Sequence, residues 1–153
     1  MRRTVFVVPT SFAPVIQAAC TDDIAVKQRK LLVKHLAEAG IAADAEECGT
    51  WLRGVEESTA TALTLRGSAT AQELSADEPR LRSRLSMSPD KSYGAQPYVT
   101  SRVLFQLSAD GRIVRGRPLG TWLSGQHQWS PVENWLPDGF SHKPAADDAR
   151  ATL

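Results

Sequence analysis

Cysteine is scarce: Cys20 and Cys48 are the only two in 153 residues, and neither sits in a C-x-x-C pair or beside histidine. A disulfide framework and a structural zinc site are therefore both unsupported. The three histidines, His35, His127 and His142, are too far apart in sequence for their spacing to argue a metal triad. No glycine-rich phosphate loop is present, and nothing approaches the roughly 18 consecutive apolar residues of a membrane-spanning helix. Charge of one sign is also missing in bulk, with 18 Lys+Arg against 17 Asp+Glu for a net +1. That balance argues against a nucleic-acid coat protein, although one basic face can be offset by acids elsewhere. What is present, 42% hydrophobic and 23% charged residues, suits one soluble globular domain with room for a short appended unit.

Met1-Arg2-Arg3 and the apolar stretch up to Gln17-Ala18-Ala19-Cys20 imitate a secretory or lipoprotein signal. Pro9, Thr10, Ser11 and Pro14 interrupt its apolar part, and Gln17 stands where a lipoprotein signal wants an aliphatic residue. The expectation is a cytoplasmic protein with no membrane association.

Along the chain, Thr4–Val8 is a β-branched run stopped by Pro9 and reads as a strand. Phe12–Cys20 reads as a short helix with Pro14 in its first turn, and Thr21 as the N-cap of a second helix ending at Gly40. Lys27, Arg29, Lys30 and Lys34 give that helix a basic side, read as solvated surface. A helix is predicted from about Trp51 to Leu65 with Gly67 as its stop. Thr70 and Glu73 have capping-box spacing before a helix through Leu74, Leu81 and Leu85, kinked or restarted at Pro79. Ser86–Pro97 reads as a loop. From Tyr98 to Ser108, Val99, Val103, Leu104 and Leu107 share one helical side, and Tyr98, Ser101, Arg102 and Phe105 the other. Asp110-Gly111 marks a turn, Arg112–Arg117 a strand, Pro118–Gly120 a loop tip and Thr121–Ser130 a returning strand.

Three helices followed by a two-stranded ribbon is the order of a winged helix. The expected fold class is thus α+β and helix-rich, a helix-turn-helix with a two-stranded wing, preceded by a short strand and helices. The expected division is 1–48 for the N-terminal strand and helices, 49–136 for the winged helix and 137–153 for a linker or tail. Between Val99 and Pro131 there are four arginines and one acid, Asp110. Arginine neutralises phosphate and grips guanine bidentately, so the patch suits double-stranded DNA as partner. The expected DNA-contacting residues are Tyr98, Ser101 and Arg102 on the third helix, Arg112, Arg115 and Arg117 on the ribbon, and Gln126. Phe105 speaks partly against groove insertion, because it can pack under the wing instead.

Arg102-Val103-Leu104, Asp110 through Pro118, Gly120-Thr121-Trp122, Trp129-Ser130-Pro131 and Trp135-Leu136 resemble the central winged-helix segment of the AlkZ-like family. Arg2 through Pro9 and Ala18-Ala19-Cys20 resemble a further stretch of it. The resemblance implies tandem winged helices and DNA glycosylases that remove alkylated bases or unhook crosslinks, in members more than twice this long. The family's catalytic Gln-x-Gln or Gln-x-Asp motif lies in an N-terminal region with no counterpart here. Gln126-His127-Gln128 imitates it but falls in the predicted wing.

Glycosidic hydrolysis needs a group to orient water, stabilisation of an oxocarbenium-like sugar and a pocket for the extruded base, and no such set stands out. Asp22-Asp23 and Asp147-Asp148 read as helix starts, Cys20 and Cys48 as buried small hydrophobes, and Trp122, Trp129 and Trp135 as anchors of the wing to the core. The expectation is duplex DNA binding without catalysis of its own, with no catalytic residue, metal or cofactor. A DNA glycosylase and a protein-interaction module are the rival readings.

Overall fold

The structure is a computed structural model, and it describes residues 8–85, 97–121 and 125–153. Most of the strand expected at Thr4–Val8, most of the Ser86–Pro97 loop, and Trp122 lie outside the described residues.

A 3₁₀ turn (Thr10–Phe12) leads into α1 (Ala13–Ile16), with Pro14 in its first turn as expected. Thr21 does not cap a second helix. The chain instead runs through a π-helical turn (Gln17–Thr21) directly into α2 (Asp22–Glu38). The buried Gln17 accounts for the continuity, since its Nε2 donates to Ala109 O at 2.7 Å and to Asp22 Oδ1 at 2.8 Å. Gly40, at φ +69°, follows the end of α2.

The third helix, α3 (Ala45–Arg66), starts six residues before the predicted Trp51. Asp44 sets its start by accepting from Glu46 N at 2.8 Å and Glu47 N at 2.9 Å, with both glutamates at the positive end of the dipole. The 48/49 division expected from the sequence thus falls inside α3. Gly67, at φ +74°, closes the helix as predicted.

The chain then forms β1 (Ala69–Thr70) and α4 (Ala71–Asp77), with the capping box in place: Thr70 N donates to Glu73 Oε2 at 2.7 Å and Glu73 N to Thr70 Oγ1 at 3.2 Å. The helix does not continue through Leu81 and Leu85. Pro79 stops it, a 3₁₀ turn (Pro79–Arg82) follows, and Arg84 pairs with Tyr98 in an antiparallel bridge, with Leu85 N donating to Pro97 O and Val99 N to Ser83 O. Leu81 and Leu85 still reach the core, both fully buried.

Helix α5 (Thr100–Ala109) leads through Asp110-Gly111 into β2 (Ile113–Pro118), and β3 (His127–Pro131) returns. The antiparallel sheet has the order β1-β3-β2, with Ala69 opposite Trp129, and Trp129 opposite Arg115. Residues 137–153, expected as linker or tail, carry α6 (Ala146–Thr152). Its Ala149 packs on Ala18 and Ala19, Arg150 Nη2 donates to Asp23 Oδ2 at 2.8 Å, and Lys143 pairs with Asp22. The Phe140 ring lies over Gly111, whose φ of +72° leaves a Cβ position only 2.5 Å from Phe140 Cδ2.

Leu32 and Leu36 of α2, Leu52, Val55 and Leu63 of α3, Leu74 of α4, and Val103, Leu104 and Leu107 of α5 belong to a single apolar core. Cys48 is buried there, whereas Cys20, expected inside, is exposed because it faces outward from the π turn. Trp129 packs on the core as an anchor. Trp135 does not: it is 56% exposed, and its Nε1 donates to Ser130 Oγ at 3.1 Å.

Two buried acids tie the helices together. Glu56 of α3 is 2% exposed and accepts from Arg29 Nη1 of α2 at 2.9 Å. Arg29 Nη2 also donates to Asp110 Oδ2 at 2.6 Å, and Gln106 Nε2 donates to Asp110 Oδ1 at 2.9 Å. Burial raises the Glu56 carboxyl above its ordinary value, and Arg29 only partly offsets that.

Glu78 shows the opposite balance. Hydrogen bonds from Arg80, Nε at 2.8 Å and Nη2 at 2.7 Å, together with one from Ser58, lower it to about 2. A carboxylate lowered on folding stabilises the fold above its unfolded value near 4.5, and that stability is lost as pH falls toward 2. The Arg80 side chain is 44% exposed, so solvent screening holds the contribution to about 1–2 kcal/mol. Glu78→Gln is expected to remove that part of the acid limb in chemical denaturation between pH 4.5 and 2. An unchanged limb would refute the assignment.

Candidate nucleic-acid interface

Helix α5 turns Val103, Leu104 and Leu107 to the core, as its periodicity predicts. Its other side is only partly open, because α2 packs along it. Gln106 Nε2 donates to Ala25 O at 3.1 Å, and Arg102, Phe105 and Gln106 border a crevice shared with Gln28, Leu31 and His35 of α2. Arg102 and Phe105 are half-buried there, and Ser101 is exposed. Tyr98 is not on the helix: it precedes α5 in the bridge to Arg84, is 48% exposed, and carries the Arg84 guanidinium 4.6 Å from its ring centroid.

On the ribbon the arginines divide. Arg112 Nη1 and Nη2 donate to Glu57 Oε1 and Oε2 at 2.8 and 3.0 Å, a fork-on-carboxylate pair that holds Glu57 below its ordinary value. Its charge is therefore partly spent inside the molecule. Arg115 and Arg117, at alternate positions of β2, are exposed, and no carboxylate among the described residues pairs with either. Gln126 is exposed just before β3, and its backbone oxygen accepts from Leu119 N at 2.8 Å. The Gln126-His127-Gln128 triplet lies along the hairpin surface. His127 Nδ1 is 3.2 Å from Gly116 O, and Gln128 Nε2 donates to Ser68 Oγ at 2.8 Å.

A groove of about 550 Å³ runs between α3 and the 131–141 segment, lined by Leu63, Thr64, Arg112, Val132, Asp138 and Phe140 among others. Of the expected interface residues, Arg112 alone borders it, and neither Gln126 nor Gln128 does. Among the described residues no group of three or more His, Cys, Asp or Glu side chains is arranged to hold a metal ion, and no helix is long and apolar enough to cross a membrane.

The sequence reading missed three things. Glu57 is 55 residues from the arginine it neutralises, and α2 screens one side of α5. The alternating arginines of Pro79-Arg80-Leu81-Arg82-Ser83-Arg84, by contrast, were an available signal.

A helix-rich α+β fold with a three-stranded antiparallel sheet and exposed arginines along one edge strand defines the class of protein. The AlkZ-like family model, described as DNA glycosylase AlkZ-like, matches residues 1–153, and the chain belongs to that family. The match covers the whole chain, as the spread of the resembling motifs implied, and it connects the chain with DNA and glycosylase-type repair. No curated protein and no solved structure matches it.

Proposed function

We propose that the protein binds duplex DNA in the cytoplasm through a winged helix that begins with α3 and ends near residue 136, and has no catalysis of its own. The element order α3-β1-α4-α5-β2-β3, with β1 pairing β3, supports the winged-helix reading, α5 being the recognition helix and β2-β3 the wing. The observation that carries the proposal is the exposed pair Arg115 and Arg117, free of internal carboxylates among the described residues, in a chain of a DNA glycosylase family. Guanidinium groups held this way release condensed counterions when they meet phosphate, which makes binding salt-dependent.

The interface keeps Tyr98, Ser101, Arg102 and Gln126 as contacts. Arg112 is the weakest member, since it must leave Glu57 or share it.

Arg115→Ala and Arg117→Ala are each expected to weaken binding alike for every duplex sequence and to lower the log–log salt slope by about one. Fluorescence polarisation against plain and alkylated duplexes at several salt concentrations measures both. Unchanged slopes in both variants would overturn the reading.

Family membership favours a second reading, base excision. An abasic product from alkylated duplex, lost in Gln126→Ala or Gln128→Ala, would replace the non-catalytic conclusion with it. Binding indifferent to salt would favour a protein-interaction module instead.

A further inference from the structure

Residues 79–85 and 97–105 hold four arginines, Arg80, Arg82, Arg84 and Arg102, and no acidic residue. They are adjacent in space, because the Arg84–Tyr98 bridge pairs the two segments immediately before α5. Leu81 and Leu85 point into the core with no exposed surface, which turns the intervening Arg82 and Arg84 to solvent. The arginines are not equivalent. Arg80 is occupied by Glu78, which grips both its Nε and Nη2. Arg82 is exposed, and no carboxylate among the described residues pairs with it.

Arg84 is held in place: its guanidinium stacks on the Tyr98 ring, and its Nη2 donates to Tyr98 Oη at 3.3 Å. In the backbone pairing, Leu85 N bonds Pro97 O and Val99 N bonds Ser83 O. This leaves Arg84 and Tyr98 as a non-hydrogen-bonded pair, whose side chains approach most closely on one face. A guanidinium fixed by an aromatic ring loses less conformational freedom when it meets an anion than one that swings freely.

We propose that Arg82 and Arg84 form a second phosphate-binding strip, with Tyr98 as its positioning residue, separate from the one formed by Arg115 and Arg117. The inference rests on the duplex-binding reading. Helix α5 separates the two arginine sets along the chain: Tyr98, bridged to Arg84, precedes it, and Arg115 and Arg117 follow it on β2. Ten residues of helix rise about 15 Å, so the two sets lie toward opposite ends of α5. A duplex laid along α5 would then meet guanidinium groups at both ends of the helix.

The test is polarisation of a labelled duplex across a salt series, with Arg82→Ala, Arg84→Ala, Tyr98→Phe and Tyr98→Ala beside Arg115→Ala as the wing reference. Arg82→Ala and Arg84→Ala are each expected to lower the salt slope by about one, independent of sequence. Tyr98→Phe keeps the stacking face but loses the Oη acceptor, and is expected to fall between wild type and Tyr98→Ala in affinity. Tyr98→Ala is expected to follow Arg84→Ala in affinity. Arg82 is exposed, so its variant is expected to melt with wild type, and a lost slope then reports a lost contact.

If Arg115→Ala lowers the slope while Arg82→Ala and Arg84→Ala keep the wild-type value, the strip is refuted and the duplex reading stands. If the wild-type protein shows no salt-dependent duplex binding, the parent reading fails and the strip with it. A Tyr98→Ala variant indistinguishable from wild type would refute the positioning role.

Discussion

Arg29→Ala is expected to destabilise the fold by about 3 kcal/mol, because it leaves the Glu56 carboxylate buried without its counter-charge. Breaking a buried pair costs roughly 3–5 kcal/mol, and the Arg29 side chain is 34% exposed, which places the effect at the lower end. For a domain of this size the melting temperature should fall by roughly 6–12 °C.

The pH dependence has a definite sign. Burial raises the folded-state value of Glu56 above its ordinary 4.5, so between the two values the native state holds a proton that the unfolded chain has released. The stability associated with Glu56 is therefore greatest below 4.5 and is lost as pH rises through the folded value. Arg29→Ala should enlarge that loss, since the opposing cation is gone, and Glu56→Gln should flatten it. Urea denaturation of the three proteins across this range decides the matter. A cost under about 0.5 kcal/mol for Arg29→Ala, in the range of an ordinary surface substitution, would sink the account.

Gly111→Ala is the second large effect, expected at about 2–4 kcal/mol. An L-residue at φ +72° costs roughly 1–2 kcal/mol, and the added methyl would stand 2.5 Å from Phe140 Cδ2, a clash relieved only by moving the ring. The two contributions separate in a double-mutant cycle. In a Phe140→Ala background the clash disappears, and Gly111→Ala should cost only the backbone part. Limited proteolysis adds a structural readout, because displacing Phe140 should expose the 137–153 segment to cleavage. Equal costs in the two backgrounds would show that the ring does not lie over the glycine.

Short-range chemistry was the legible part of this fold. The Thr70–Glu73 box, the glycines ending α2 and α3, the turn at Asp110-Gly111 and the apolar side of α5 each depend on residues within about five positions of one another. The start of α3 was missed because residues 45–50 carry little apolar periodicity, and Asp44 acts there through backbone hydrogen bonds. The Leu74–Leu85 helix was overextended because three leucines at helical spacing reach one core equally well from a helix, a 3₁₀ turn and an extended strand.

The proposed interface was legible in composition but not in arrangement. Arg115 and Arg117 are as open as their alternation implies. Arg112 is held by a glutamate from α3, and α2 covers one side of the helix expected to meet DNA. Neither pairing leaves a local signature, since each joins segments more than 50 positions apart.

The small alanine contact between the π-helical turn and α6 has a consequence for how the end of the chain is held. Ala18, Ala19 and Ala149 form a cluster apart from the leucine core, and the Arg150–Asp23 and Lys143–Asp22 pairs hold the same segment at the surface. Removing α6 is therefore expected to uncover Ala18 and Ala19 while the leucines of the main core stay covered.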